Sequence, residues 1–155
     1  MSEITYQKIK KYFEEKQIPH REVQHAPGAS AEEYHNALKC RYEQQAKSLL
    51  IKVYGSTGEY FAMLAIPAQK RADLDKIKEI LNARKVRMAN LEELKSVTGC
   101  IYGEVPSLGK VFDIRLILDK DFLNEDEIYL NVGKNDISFI MSPKELVKTE
   151  EPVMI

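Results

Sequence analysis

The residue that first suggests chemistry is a lysine inside a strand-like run. Ala46 to Tyr54 is rich in Leu, Ile and Val, and the two-residue period of a strand sets Lys47 on one face with Leu49, Ile51 and Val53, leaving Ala46, Ser48, Leu50, Lys52 and Tyr54 on the other. An ammonium group in apolar company must reach a cavity mouth, extend past the strand end into water, or meet an anionic partner, because an unpaired buried charge is costly. The second suggestive stretch runs from Thr98 to Lys110, where Gly99, Gly103, Gly109 and Pro106 crowd together. Glycine lets backbone N–H groups approach a ligand closely or take positive φ, and proline stiffens the result, so this segment can hold fixed donors toward an anionic or ester-like group. A structural connection that merely turns the chain satisfies the same composition.

Other chemistries find little support. There is no Gly-x-Ser-x-Gly elbow, His-Glu-x-x-His helix, phosphate loop or dinucleotide fingerprint. His20, His25 and His35 have no metal-ligand spacing. Ser107, Cys40 and Cys100 are nucleophiles only in the abstract, since no partner base is identifiable. The two cysteines form no Cys-x-x-Cys pair, so both are expected to be reduced, and neither a metal nor a cofactor is expected.

The elements that must position these groups follow from local signals. Thr5 to Lys16 reads as an amphipathic helix carrying Tyr6, Ile9, Tyr12 and Phe13, and His20 to Gln24 as a short strand. Ser30 with Glu33 caps a second helix. The run from Ala46 returns through Gly55-Ser56-Thr57-Gly58 into a second strand, Glu59 to Ile66. Asp73 and Asn90 cap two further helices around a strand at Lys85 to Met88. After the glycine-rich loop come strands at Asp113 to Leu118, Glu127 to Asn131 and Ile137 to Met141, then a helix opened by Pro143. The acidic Glu150-Glu151 tail is expected to fray. The fold class is therefore α/β: one domain over residues 1–155, with a mixed sheet flanked by helices.

Composition agrees with that class. The 155 residues are long enough to bury a core, and 44% hydrophobic with 30% charged content excludes a disordered or fibrous chain. No run is long enough to span a bilayer and no secretory pattern opens the sequence, which leaves the cytoplasm as the expected location. A net charge of -1 announces no global basic field. Between Lys70 and Arg87, however, seven basic residues stand against three acidic ones. That local excess suits either a phosphate-contacting face or a solvated helix of mixed charge.

Several short motifs in fixed order resemble the YbaK and prolyl-tRNA editing domain family of aminoacyl-tRNA deacylases. They are His25 with Pro27 before a capped helix, Ala46-Lys47-Ser48-Leu49-Leu50, Leu74 to Leu81 followed by Lys85-Val86-Arg87-Met88-Ala89, Thr98-Gly99 with Gly103-Glu104-Val105-Pro106-Ser107-Leu108-Gly109, and Ile128-Tyr129-Leu130-Asn131-Val132-Gly133. The resemblance covers about residues 18–147. It implies a pocket for the aminoacyl group of a mischarged tRNA, with Lys47 matching the family's required lysine and Gly103 the loop that helps hold the ester. Around them it implies substrate contacts from Val23, His25, Ser48, Val105, Pro106, Ser107, Asn131 and Gly133, and weaker tRNA contacts from Lys70 and Arg71. No metal, cofactor or protein nucleophile is implied. Hydrolysis is assigned to a positioned water helped by the substrate's terminal ribose hydroxyl, and Lys47 anchors a phosphate or carbonyl. Aminoacyl-tRNA is the implied partner, and a synthetase that delivers it is a second.

Two departures bear on specificity. Many relatives carry Gly-Gly-Val/Ile-Ser-Pro in the loop, whereas here the proline falls one residue earlier, at Pro106. Cysteinyl-specific relatives have tyrosine near Val23, serine at Asn131 and aspartate at Ser138, so that specificity is not implied, and alanine, serine, threonine or another small residue remains open. The alternative to an enzyme is a module of the same fold that binds tRNA or a synthetase without turnover. A small-ligand domain unrelated to tRNA is the third reading.

Overall fold

A computed structural model describes residues 2–155. In chain order it contains α1 (Glu3–Glu15), β1 (Arg21–Gln24), α2 (Ala31–Leu38), β2 (Ala46–Gly55), β3 (Gly58–Pro67), α3 (Leu74–Ile80), β4 (Lys85–Met88), α4 (Leu91–Thr98), β5 (Arg115–Leu118), β6 (Ile128–Asn131), β7 (Ile137–Met141), α5 (Pro143–Glu150) and β8 (Val153–Met154). The mixed sheet has the order β4-β2-β3-β5-β8, with β3/β5 and β5/β8 parallel. Beside it stands a second sheet that the sequence did not separate, an antiparallel one of three strands, β1-β7-β6. A bridge between Gln45 and Tyr129 links the two sheets.

The β2–β3 hairpin is the spine. Both of its faces are covered, which is why its strands read as near-continuous apolar runs. Leu50, Met63 and Ala65 face a core shared with Phe139 and Leu130 of the smaller sheet and with Ile9 and Phe13 of α1. On the opposite face Ile51, Val53, Leu64 and Ile66 pack with Ile77 of α3. None of the described helices is long and apolar enough to cross a membrane.

The acidic tail does not fray. Glu150 is 3% exposed; its Oε1 accepts from the backbone N–H of Gly109 at 2.6 Å and of Lys110 at 3.1 Å, and its Oε2 from the Tyr12 hydroxyl at 2.8 Å. A carboxylate that satisfies three donors is stable in a dry site. The chain then continues into β8 rather than into solvent.

α4 delivers the chain to the glycine-rich loop, and its start is fixed by charge. The Asn90 side chain accepts from Glu93 N–H while the Glu93 carboxylate accepts from Asn90 N–H, and Arg87 clamps the same carboxylate at 2.8 and 2.9 Å. Arg87 first, then the Asn90 N–H, hold the Glu93 carboxyl down at about 2. A depressed folded-state pKa means stability that is present above the ordinary carboxylate range and lost as pH falls toward 2. Glu93→Gln should therefore lower Tm at neutral pH and flatten the acid limb of a Tm-against-pH curve; an unchanged limb would show the clamp contributes nothing.

Candidate active site

A cavity of about 210 Å³ opens where the first residues of β2 meet the smaller sheet. Ala46 to Leu49 form one side, α2 contributes Ala31, Tyr34 and Leu38, and β6 and β7 contribute Asn131 and Ser138. Tyr102, Gly103 and Val105 of the glycine-rich loop close it, with Gln45 and Tyr129 lying at the bridge between the sheets. Lys47 and Ser48 point to opposite faces, yet both line the cavity because the strand begins there and neither face is yet covered.

Lys47 meets no carboxylate. Its Nζ donates to the carbonyls of Lys70 at 2.5 Å and Ala68 at 3.4 Å, both in the chain that leaves β3. An ammonium has three N–H bonds, so one is not taken by these two carbonyls. Burial, and secondly the nearby Arg71 guanidinium, push its pKa below the usual lysine range. The site therefore holds a cation that is only partly hydrated and gains from an electron-rich ligand oxygen.

The loop is shaped at Gly103. Its φ is +87°, and a Cβ there would stand 2.8 Å from the Ala29 carbonyl oxygen, so both conformation and space require glycine. The Tyr34 hydroxyl donates to the Gly103 carbonyl at 2.6 Å. Burial foremost, and then Glu104, Glu33 and Asp136, push the Tyr34 phenol far above its ordinary value and keep it a donor. One residue on, the Glu104 carbonyl accepts from Gly133 N–H at 2.9 Å.

A hydroxyl pair and a hydroxyl–imidazole pair set the polarity of the interior. Ser48 and Ser107 share a hydrogen bond of 2.5 Å, and Ser107 is 0% exposed. The Ser138 hydroxyl lies 2.8 Å from His25 Nε2, and His25 Nδ1 lies 2.8 Å from the Ala26 carbonyl. A carbonyl only accepts, so in the neutral imidazole Nδ1 carries the proton and Nε2 accepts from Ser138. Ser138 Oγ lines the cavity and keeps a lone pair with which it can accept from a ligand donor.

Of the residues named from the sequence, Lys47, Ser48, Gly103, Val105 and Asn131 line the cavity. His25 and Ser107 stand one hydrogen bond behind it, and Val23 pairs in register with Ser138. Pro106 is buried in the loop. Gly133 is turned elsewhere: a Cβ on it would meet Ser2, Thr5 and Tyr6 of the α1 start, so it buttresses the loop and forms no wall. Tyr34, Gln45, Tyr129 and Ser138 were not singled out as lining residues, and only the aspartate that some relatives carry at Ser138 hinted at the last. Cys40 and Cys100 are buried, free thiols whose pKa burial raises. His20 and His35 bond to the carbonyls of Ile18 and Cys40 and stack on Phe139 and Tyr42. Among the described residues, no cluster of three His, Cys, Asp or Glu could hold a metal. The Lys70 ammonium is engaged by Asp119 at 2.9 Å and by Asp121, whereas Arg71 is exposed beside Lys47.

The family model described as "Aminoacyl-tRNA editing domain" matches residues 25–149, which takes in both the lysine strand and the glycine-rich loop. The chain belongs to the aminoacyl-tRNA editing domain family. This editing domain is 23% identical over 153 residues to the multifunctional Ser/Thr-tRNA deacylase ProXp-y of Escherichia coli (strain K12), covering 98% of this chain and 92% of that one. Among solved structures it is similar to a candidate trans-editing enzyme for prolyl tRNA synthetase, with a TM-score of 0.83 at 24% identity over 100% of this chain and 97% of the other. The hypothetical protein APE2540 gives a TM-score of 0.84 at 23% identity, over 95% and 96% of the two chains. At these identities the structural likeness establishes that the editing domain shares their fold.

Proposed function

We propose that this editing domain, working as one domain in trans, hydrolyses the ester that joins a small amino acid to a mischarged tRNA. The observation that carries the reading is the cavity itself: a lysine N–H, a fixed glycine loop and buried hydroxyls converge on a space sized for an aminoacyl group. Water is the nucleophile, as the family resemblance implies, in keeping with Ser107 sealed behind Ser48 and with buried thiols whose pKa is raised. Water adds to the carbonyl carbon, the ester C–O bond breaks, and the products are the free amino acid and a tRNA ending in its ribose hydroxyl. The substrate's neighbouring ribose hydroxyl assists, and no metal takes part. Lys47 and the loop orient the ester and hold its carbonyl oxygen, which gains charge in the transition state.

Hydroxyl-bearing substrates fit the lone pairs of Ser138, in keeping with the Ser/Thr activity named for the E. coli relative. Arg71 is better placed than Lys70 to meet a tRNA phosphate, because two carboxylates already hold Lys70. A synthetase that presents the substrate is compatible with this reading, as is a location in the cytoplasm.

The test is release of amino acid from a panel of tRNAs charged with alanine, serine, threonine and other small residues, measured against spontaneous hydrolysis. Release above background on at least one substrate supports the reading; none would leave a binding module without turnover. On the same panel Ser138→Ala should lower kcat/KM for seryl- or threonyl-tRNA roughly five- to tenfold, the effect of one hydrogen bond, and change alanyl-tRNA less. Equal losses on all three would refute the hydroxyl contact.

A further inference from the structure

The cavity, at about 210 Å³, falls below the roughly 300–1,000 Å³ of pockets that enclose a whole drug-sized ligand. If it takes the aminoacyl group, the terminal nucleoside of the tRNA must lie outside, against the rim. That rim carries a largely exposed aromatic ring. Tyr102 lines the cavity mouth and is 58% exposed, and its neighbour Ile101 is exposed as well. What separates Tyr102 from other exposed hydrophobic side chains such as Tyr60 is its place on the lining of the cavity mouth.

The backbone fixes the point from which this ring projects. Glu104 N–H donates to the Ile101 carbonyl at 3.2 Å, Gly103 has positive φ and Tyr102 does not, which is a type II turn with Tyr102 at its first corner. The corner is tied from several sides: by the Tyr34 hydroxyl on the Gly103 carbonyl, by Gly133 N–H on the Glu104 carbonyl, and by Gly103 resting on Ala29. With the main chain fixed, only the side-chain torsions of Tyr102 remain to be ordered when a flat partner settles on the ring. Nucleic-acid ends offer such partners, since unpaired bases stack on aromatic side chains whatever their sequence.

We propose that Tyr102 is the stacking platform for the 3′-terminal base of the tRNA, positioning the ester over the cavity. This rests on the deacylase reading, and it adds a positioning residue that motif spacing did not mark. The adenine lies on the ring face, the ribose spans the rim, and the aminoacyl group enters between Lys47 and the Gly103 turn.

The sequence contains no tryptophan, so Tyr102→Trp introduces a single tryptophan at the platform, excited selectively over the tyrosines at long wavelength. Its emission should be quenched on titration with uncharged tRNA ending in C-C-A, and the quenching should be lost with the same tRNA trimmed to C-C. In deacylation assays Tyr102→Ala should raise KM roughly tenfold, the scale of one base–aromatic stack, with kcat changed much less, while Tyr102→Phe restores KM. Equal quenching by full-length and trimmed tRNA, or an unchanged KM in Tyr102→Ala, overturns the proposal. If the wild type deacylates no charged tRNA, the functional reading fails on its own, and the titration with uncharged tRNA still decides whether the base stacks. Tyr102 is on the surface, so these variants leave the fold intact.

Discussion

Replacing Lys47 by alanine lowers kcat/KM for deacylation by about 10²- to 10³-fold, the scale observed when one preorganised donor to a developing oxyanion is removed. The expectation follows from the count of its N–H bonds: the Ala68 and Lys70 carbonyls take two, and the third is what the ligand loses. Arginine should not rescue. Its planar fork is longer, and it cannot meet both carbonyls and still leave a donor at the same point in the cavity. The charge can be tested separately by pH. Burial has pushed the lysine pKa down, so the charged form is lost as pH rises through a value below the ordinary lysine range. Activity corrected for spontaneous hydrolysis should therefore fall on the alkaline side earlier than for an exposed lysine. Full activity in Lys47→Ala, measured on the best substrate of the panel, would remove this residue from the reaction.

Gly103→Ala gives the second large effect, and it strikes stability and activity together. A non-glycine residue held at positive φ costs about 1–3 kcal/mol, and the added methyl also meets the Ala29 backbone, which cannot swing aside as a flexible side chain would. For a chain of this size each kcal/mol is roughly 2–4 °C in Tm, so a fall of about 2–12 °C is expected by thermal denaturation. Deacylation should fall further than stability alone explains, because the turn that carries Tyr102 and faces Lys47 moves as a unit. Wild-type Tm together with wild-type turnover in this variant would show that the turn is neither strained nor catalytically important.

How far the sequence revealed this arrangement depended on the range of each signal. The β2–β3 hairpin and the capped start of α4 at Asn90 rest on neighbours in the chain, and both were legible; the glycine-rich segment was legible as a loop, but the shape of its turn at Gly103 depends on Ala29, Tyr34 and Gly133. The pairing of Ser138 with His25 and of Ser48 with Ser107 was not legible, because those partners lie 113 and 59 residues apart and meet only when β1 pairs with β7 and when the glycine-rich loop folds onto the start of β2. Glu150 was misread for the opposite reason. Beside Glu151 it resembles a solvated tail, and only the unsatisfied N–H groups of Gly109 and Lys110, 41 and 40 residues away, draw its carboxylate inside. Gly133 was placed beside the substrate by its position in a motif, whereas its missing side chain makes room for the start of α1.

The cavity wall mixes two kinds of atom with different freedom to vary. The turn at Gly103 is held largely by peptide groups: the Ala29 carbonyl beneath it, Gly133 N–H on Glu104, and Gly109 N–H on Glu150 farther along. What a ligand meets inside is side chain, notably Ser48, Asn131 and Ser138. On the proposed deacylase reading, exchanges at Asn131 and Ser138 are expected to change which amino acids are accepted while leaving the turn unmoved. Such a division makes the domain evolvable: a lineage confronted with a different mischarging error can change its preference in single steps, without passing through an inactive ancestor.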